Sequence, residues 1–139
     1  MIAIIRISGI PEIPMKVQET LHRLRLRKKY TCVLMHERPE NLGMLEVVKN
    51  FVAYGKIDKE TLTELIKVRG KSTKGKVDAA KIVSELSESK TEKNLEDLGM
   101  KPFFALHPPR GGIDSKKHYP KGILGNNKEN INELIRRML

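Results

Sequence analysis

The strongest constraint on the fold is the alternation of short apolar runs with amphipathic segments over residues 1–57. The apolar runs are rich in β-branched residues and stop at glycine, proline or charged residues, which is typical of strands. Three strands are predicted on this basis: Ala3–Ser8, Tyr30–Met35 and Phe51–Tyr54. Val17, Leu21 and Leu24 share one helical face and predict a first helix, and we expect Asn41 to cap a second. The order β-α-β-α-β predicts an α+β fold.

The rest of the chain follows a different pattern, in which helices predominate and one long stretch is irregular. Asp58 is expected to cap a helix, and further helices are predicted after Asp78 and between Thr91 and Gly99. Pro102–Leu106 predicts a fourth strand. A terminal helix is predicted from four apolar residues on one face: Ile131, Leu134, Ile135 and Met138.

These patterns divide the chain into three segments. The segments are a β-α-β-α-β core at 1–57, a helical insertion at 58–99, and a part at 100–139 that holds the fourth strand, a basic Pro/Gly-rich extension and the terminal helix. In the extension, prolines and glycines exclude regular structure from His107 to about Asn127.

The chain is strongly cationic, with 27 Lys and Arg against 17 Asp and Glu, a net charge of +10. The core and the C-terminal part each carry a surplus of five positive charges, whereas the helical insertion is neutral. Such a surplus attracts polyanions, above all nucleic acid. A membrane partner is not expected, because the apolar runs are far shorter than the ~20 residues of a membrane-spanning helix. The single cysteine, Cys32, excludes an internal disulfide and indicates a reducing, cytoplasmic compartment.

Two segments are candidates for binding a phosphate backbone. The first is the junction between the first helix and the second strand, with five cations and no acid: Arg23, Arg25, Arg27, Lys28 and Lys29. The second is the extension, whose glycines allow close approach to RNA and whose prolines hold the chain extended. Its candidate contacts are His107, Arg110, Gly111, Gly112, Lys116, Lys117, His118 and Lys121. A solvated helix end and a disordered, solubilising tail are the alternatives for the two segments.

No chemistry is expected from this sequence. The four histidines and Cys32 do not occur at zinc-site spacings, so neither a metal nor another cofactor is expected. Gly70-Lys71 lacks the glycine five residues earlier that a phosphate-binding loop needs, since Leu65 stands there. No nucleophile has an identifiable base and orienting partner, so catalysis and a small-molecule substrate are not expected.

Several segments of the chain resemble a known protein family. The first strand, Thr31–Met35, Gly43-Met44 and Phe51–Gly55 are similar to the L-thirty family of large-subunit ribosomal proteins. The later Leu106–Gly112 and Gly122–Gly125 resemble its longer archaeal and eukaryotic branch, whose eukaryotic members are called L-seven. The length favours the archaeal form.

The resemblance implies a ferredoxin-like plan with a small, largely antiparallel sheet, a helical insertion and a C-terminal extension. It also implies one copy per ribosome, buried in large-subunit ribosomal RNA near the base of the central protuberance. Relatives commonly carry Arg-Gly-Met and then Lys-Val, whereas this chain has Leu42 and Val47 at the cationic positions. Lys49 is the nearby cation that could serve instead.

We therefore expect a structural component of the large ribosomal subunit that binds and stabilises folded ribosomal RNA. Contacts with neighbouring ribosomal proteins are left open. Two alternatives remain: an RNA-modifying or RNA-cleaving enzyme, and a free RNA-binding regulator.

Overall fold

A computed structural model describes residues 2–7, 13–70, 79–88, 101–112 and 122–139. The strands are β1 (Ile2–Arg6), β2 (Thr31–Met35), β3 (Val52–Lys56), β4 (Phe104–Ala105) and β5 (Gly125–Asn126). The helices are α1 (Met15–Arg23), α2 (Pro39–Val48), α3 (Lys59–Arg69), α4 (Ala79–Glu88) and α5 (Ile131–Met138), the last preceded by a 3₁₀ turn at Lys128–Asn130. The predicted β-α-β-α-β core is confirmed.

The five strands form one sheet in the order β4-β2-β1-β3-β5. All neighbours pair antiparallel except β3 and β5, which run parallel. β1 lies at the centre, and all five of its residues are buried. A central strand covered on both faces is expected to be apolar throughout rather than alternating, as this one is apart from Arg6. The small, largely antiparallel sheet of the predicted α+β fold is thereby confirmed.

Helices cover both faces of the sheet, because side chains of successive strand residues point to opposite sides. Ile2 and Ile4 of β1 belong to one apolar cluster, together with α1 and α2. Ala3 and Ile5 belong to the other, together with α3, α4 and α5. The helices that follow residue 57 therefore cover the face that α1 and α2 leave open.

The helices α3 and α5 follow the predicted patterns closely. The Asp58 carboxylate accepts a hydrogen bond of 2.9 Å from the backbone N–H of Thr61, which confirms the predicted cap of α3. The predicted apolar face of α5 is also confirmed, since all four of its residues are buried: Ile131, Leu134, Ile135 and Met138. Each such side chain stabilises the fold by about 1.5–3 kcal/mol relative to an exposed position.

Two local predictions are wrong. Asn41 does not cap α2, which begins at Pro39, because the fixed φ of proline suits the first helical turn. The Asn41 amide instead donates to the backbone oxygen of His36 at 2.9 Å. The stretch predicted to be irregular up to about Asn127 contains β5, whose partner strand lies some 70 residues earlier in the chain.

Gly55 allows the 3₁₀ turn before α5 to pack closely against β3. A Cβ added to Gly55 would lie 2.2 Å from the backbone oxygen of Lys128. The 3₁₀ turn before α5 can therefore approach β3 only because Gly55 has no side chain. The predicted cap at Asp78, the predicted helix between Thr91 and Gly99, and the residues directly after Gly70 lie outside the described residues.

Candidate nucleic-acid interface

In the junction between α1 and β2, exposed cations alternate with buried leucines. All five of its basic residues are exposed: Arg23, Arg25, Arg27, Lys28 and Lys29. Leu24 and Leu26 between them are buried against the sheet. Residues 23–29, called the basic loop below, are therefore anchored by apolar contacts while their charges face solvent.

The backbone of the basic loop is fixed by the way α1 ends. The N–H of Leu26 donates to Leu21 O at 2.9 Å, and the N–H of Arg25 donates to His22 O at 3.0 Å. This pair of bonds is a Schellman motif, in which glycine usually occupies the left-handed position. Here Arg25 occupies it, with φ of 62°. An arginine in this conformation is strained, so the loop has a charged residue where stability alone would favour glycine.

A buried arginine forms a hydrogen bond with the backbone of the basic loop. Arg6 is 1% exposed, and its guanidinium donates a 2.7 Å hydrogen bond to Leu26 O. Burial lowers the pKa of Arg6 from its ordinary value. The side chain therefore acts as a brace for the loop backbone rather than as a surface charge.

The basic loop and the described start of the extension meet at one edge of the sheet. β4 pairs with the start of β2, aligning Ala105 with Thr31. One residue beyond this pair, the N–H of Leu106 donates to Tyr30 O at 3.1 Å. The end of the basic loop therefore adjoins the start of the segment His107–Gly112.

The segment His107–Gly112 is held by the C-terminal end of α5. The N–H of His107 donates to Met138 O at 3.1 Å, and the N–H of Arg110 donates to Arg137 O at 3.0 Å. The His107 ring also hydrogen-bonds with the backbone oxygen of Leu139. These carbonyl groups lack partners inside their own helix, so the segment satisfies acceptors that a helix terminus leaves open.

The Arg137 side chain completes this attachment. Its Nε donates to Arg110 O at 2.9 Å, and its terminal nitrogen donates to Gly112 O. Gly111 and Gly112 both have positive φ, of 82° and 75°, which suits glycine. The backbone is therefore held at both ends of the turn while the Arg110 side chain remains exposed.

Beside the basic loop lies an open groove of about 470 Å³. Seven residues line it: Arg25, Arg27, Lys28, Thr31, Pro102, Phe103 and Ala105. Three of them are cations and none is acidic, so the groove suits an anionic ligand with an apolar part.

Comparison with known proteins identifies the family. The model for "Ribosomal protein L30p/L7e" matches residues 2–52. The chain is 41% identical to "Large ribosomal subunit protein uL30" of Archaeoglobus fulgidus, over 99% of both chains. Proteins of the same name from Desulfurococcus amylolyticus and Pyrobaculum islandicum are 40% and 38% identical, over 99% of this chain and 97% and 93% of theirs. The chain belongs to the ribosomal protein L30p/L7e family.

Lys49 is a predicted RNA contact that lies apart from the two basic segments. Lys49, at the end of α2, forms a 3.2 Å ion pair with Glu46 of the same helix. Both side chains are substantially exposed, so the pair is worth at most about 1 kcal/mol and would yield readily to a phosphate. Lys49 is held by α2, whereas the basic loop and His107–Gly112 meet at the β4 edge. Lys116, Lys117, His118 and Lys121 lie outside the described residues.

Sequence reasoning missed two residues that shape this site, one of them buried and the other exposed. Arg6 sits in an apolar strand, where only the structure reveals its contact with Leu26. Phe103 was assigned to the fourth strand without a role. Phe103 directly precedes β4 and is exposed, whereas Phe104 is buried in the core, as expected when successive side chains of an extended segment face opposite sides. That alternation is a signal that the sequence does contain.

Among residues 2–7, 13–70, 79–88, 101–112 and 122–139, no group of three or more His, Cys, Asp or Glu side chains could hold a metal ion. Burial raises the pKa of Cys32 to about 12, so its thiol stays protonated and behaves as a small apolar side chain. In the same ranges no helix is long and apolar enough to cross a membrane.

Proposed function

We propose that this chain is a structural constituent of the large ribosomal subunit that binds and stabilises folded ribosomal RNA. The observation that carries the proposal is similarity over nearly the whole chain to proteins named large ribosomal subunit protein uL30. As a member of a ribosomal protein family, the chain is a non-enzymatic component of the cytoplasmic ribosome. The basic surface supports the finer proposal that ribosomal RNA is its direct partner.

The proposed mechanism is electrostatic attachment to a preformed surface. Each phosphate neutralised by Lys or Arg releases condensed counterions, which supplies affinity without reading base sequence. The apolar sheet and the Arg6 brace fix the basic loop before RNA arrives, so little conformational entropy is lost on binding.

We propose the same contact residues for RNA as the sequence predicts. They are Arg23, Arg25, Arg27, Lys28, Lys29, Lys49, His107, Arg110, Gly111, Gly112, Lys116, Lys117, His118 and Lys121. The contacts of His107 with α5 support a positioning role for its ring, with Arg110 as the nearby charge that meets phosphate. The three-segment division also remains a proposal, with residues 1–57 as the RNA-binding core.

Sedimentation of cell extract tests the function. On a sucrose gradient at moderate salt, we expect this chain to co-sediment with the large subunit and to remain bound after a salt wash. A chain found mainly near the top of the gradient would contradict the proposal and favour a free regulator. Nuclease activity in pure protein that disappears on His107→Ala would favour an enzyme instead.

A further inference from the structure

The groove beside the basic loop contains an aromatic ring that the core does not need. Phe104 is fully buried and packs on the side of α3, α4 and α5. Phe103 is 36% exposed and is one of the few large apolar side chains with so much surface in the described ranges. A single exposed apolar side chain is common on protein surfaces, but this ring lies in one groove with three cations, where its π face is available to a ligand.

The sheet topology explains why this site is open. Thr31 and Ala105 are paired in β2 and β4, so both side chains point to the face that α1 and α2 cover. β4 is the edge strand, however, and lies beyond β2 from the centre of the sheet. The groove is lined by cations of the basic loop at the end of α1 and by Pro102 and Phe103, which directly precede β4.

The charge of the lining selects the chemistry of the occupant. Arg25, Arg27 and Lys28 line the groove, and none of its seven described lining residues is acidic. A nucleotide combines the two properties the groove demands, since its base has an apolar π face and its phosphates are anionic. A volume of about 470 Å³ lies within the ~300–1,000 Å³ of small-ligand sites, so a single base with its ribose fits.

We propose that this groove receives one unstacked nucleotide of the large-subunit ribosomal RNA. The base stacks on the Phe103 ring, and the adjoining phosphates contact Arg27 and Lys28. Unpaired bases in loops and bulges of folded RNA are commonly bound by stacking on aromatic side chains. The proposal rests on the proposed function and adds to it a defined nucleotide site that electrostatic attachment alone does not require.

Fluorescence can report the stacking directly, because the chain contains no tryptophan. Phe103→Trp places a single indole in the groove, and a base stacked on an indole quenches its emission. We expect large-subunit ribosomal RNA from the same organism to quench this variant, with a titration that matches binding measured by filter retention. Val68→Trp is the matched control, since Val68 is exposed on α3 in the opposite helix layer. Its emission should change little.

The outcomes separate this proposal from the proposed function. RNA that binds both variants with unchanged indole emission would overturn the nucleotide site and leave the RNA-binding function standing. An emission shift to shorter wavelength without quenching, seen only in whole subunits, would also overturn it and indicate a neighbouring protein in the groove. RNA that fails to bind the unmodified chain would contradict the proposed function itself.

A second pair of variants tests the aromatic ring without a fluorophore. Phe103→Leu keeps an apolar side chain but removes the π face, and we expect RNA affinity to fall by about ten-fold. Phe103→Tyr keeps the ring and should bind like the unmodified chain. The salt dependence should be the same for both, because no charge is lost. Equal affinity for Phe103→Leu and Phe103→Tyr would overturn the proposal.

Discussion

Arg25 shows how a single residue balances stability against charge. It ends α1 in the left-handed region at φ of 62°, where an L side chain costs about 1 kcal/mol or more. The two backbone bonds of the Schellman motif and the burial of Leu26 hold it there. Strain of this kind tends to occur at functional sites, which agrees with the place of Arg25 in the basic loop.

Arg25→Gly should therefore separate the two properties. We expect the free energy of unfolding to rise by about 1 kcal/mol, because glycine adopts this conformation without strain. RNA affinity should fall, and the salt slope should decrease by about 0.7–0.9 if one phosphate contact is lost. Denaturant unfolding and RNA titrations at several salt concentrations measure both effects. Arg25→Ala is the control, since it loses the charge but keeps the strain; increased stability in that variant would contradict the explanation.

Asp58 provides a test of stability that is independent of RNA. Its hydrogen bonds with Thr61 lower the pKa of the carboxyl group, so the folded state favours the ionised form. The resulting stabilisation is present above the ordinary pKa near 3.8 and is lost as pH falls through the lowered folded pKa.

Asp58→Ala should reduce the free energy of unfolding by about 1 kcal/mol at neutral pH, because α3 loses its cap. The difference from the unmodified chain should shrink as pH falls below the folded pKa. Urea unfolding at a series of pH values measures it. Asp58→Asn is the control, because asparagine caps without a charge and should recover most of the stability at neutral pH. A difference that does not depend on pH would contradict the role of the carboxylate.

At the scale of elements, α5 serves both the core and the surface. Its apolar face packs beneath the sheet, and its C-terminal carbonyl groups and Arg137 hold the segment His107–Gly112. One short helix thereby connects the apolar interior to a proposed RNA contact. The neighbouring Arg136 faces α3, where it lies within 3.8 Å of Glu60 and 3.7 Å of Glu64.

Arg137→Met should release this segment while α5 remains folded. We expect faster hydrogen exchange at the Arg110 amide and at Gly112, because two backbone acceptors lose their donor. RNA affinity should fall more in this variant than in a variant that loses one positive charge elsewhere on α5. Arg136→Met is the matched control, since it removes the same charge from the same helix but breaks only exposed ion pairs. Equal exchange rates in the two variants would contradict the positioning role of Arg137.

At the scale of the molecule, the fold concentrates cations at one edge of the sheet. The basic loop and His107–Gly112 are about 80 residues apart in sequence, yet a hydrogen bond between Tyr30 and Leu106 joins their ends. Because β4 pairs antiparallel with β2, the two segments lie at the same end of these two neighbouring strands. A polyanion can therefore contact both segments at once.

Salt dependence measures whether this edge is the RNA-binding surface. The double variant Arg27→Ala with Lys28→Ala should lower the slope of log affinity against log salt by about 1.5. The control, Lys59→Ala with Lys67→Ala, removes the same charge from α3 in the other helix layer and should change the slope little. Both variants should retain their free energy of unfolding within about 0.5 kcal/mol, since the residues are exposed. Equal slopes for the two double variants would show that RNA binding depends on net charge alone and not on this edge of the sheet.

The sequence alone determined the features that depend on local periodicity and composition. The strand and helix order of residues 1–57, the cap at Asp58 and the apolar face of α5 were all predictable, because neighbouring residues carry those signals. The cationic surplus and the family resemblance likewise required no coordinates.

The tertiary structure alone decided what depends on residues distant in the chain. The pairing of β5 with β3, the bracing of Leu26 by Arg6 and the closeness of Gly55 to Lys128 have no local signal, because each joins positions at least 20 residues apart. The start of α2 at Pro39 was misjudged because two nearby residues could both begin the helix. The groove around Phe103 required the sheet order, since only the placement of β4 at the edge brings that ring beside the cations of the basic loop.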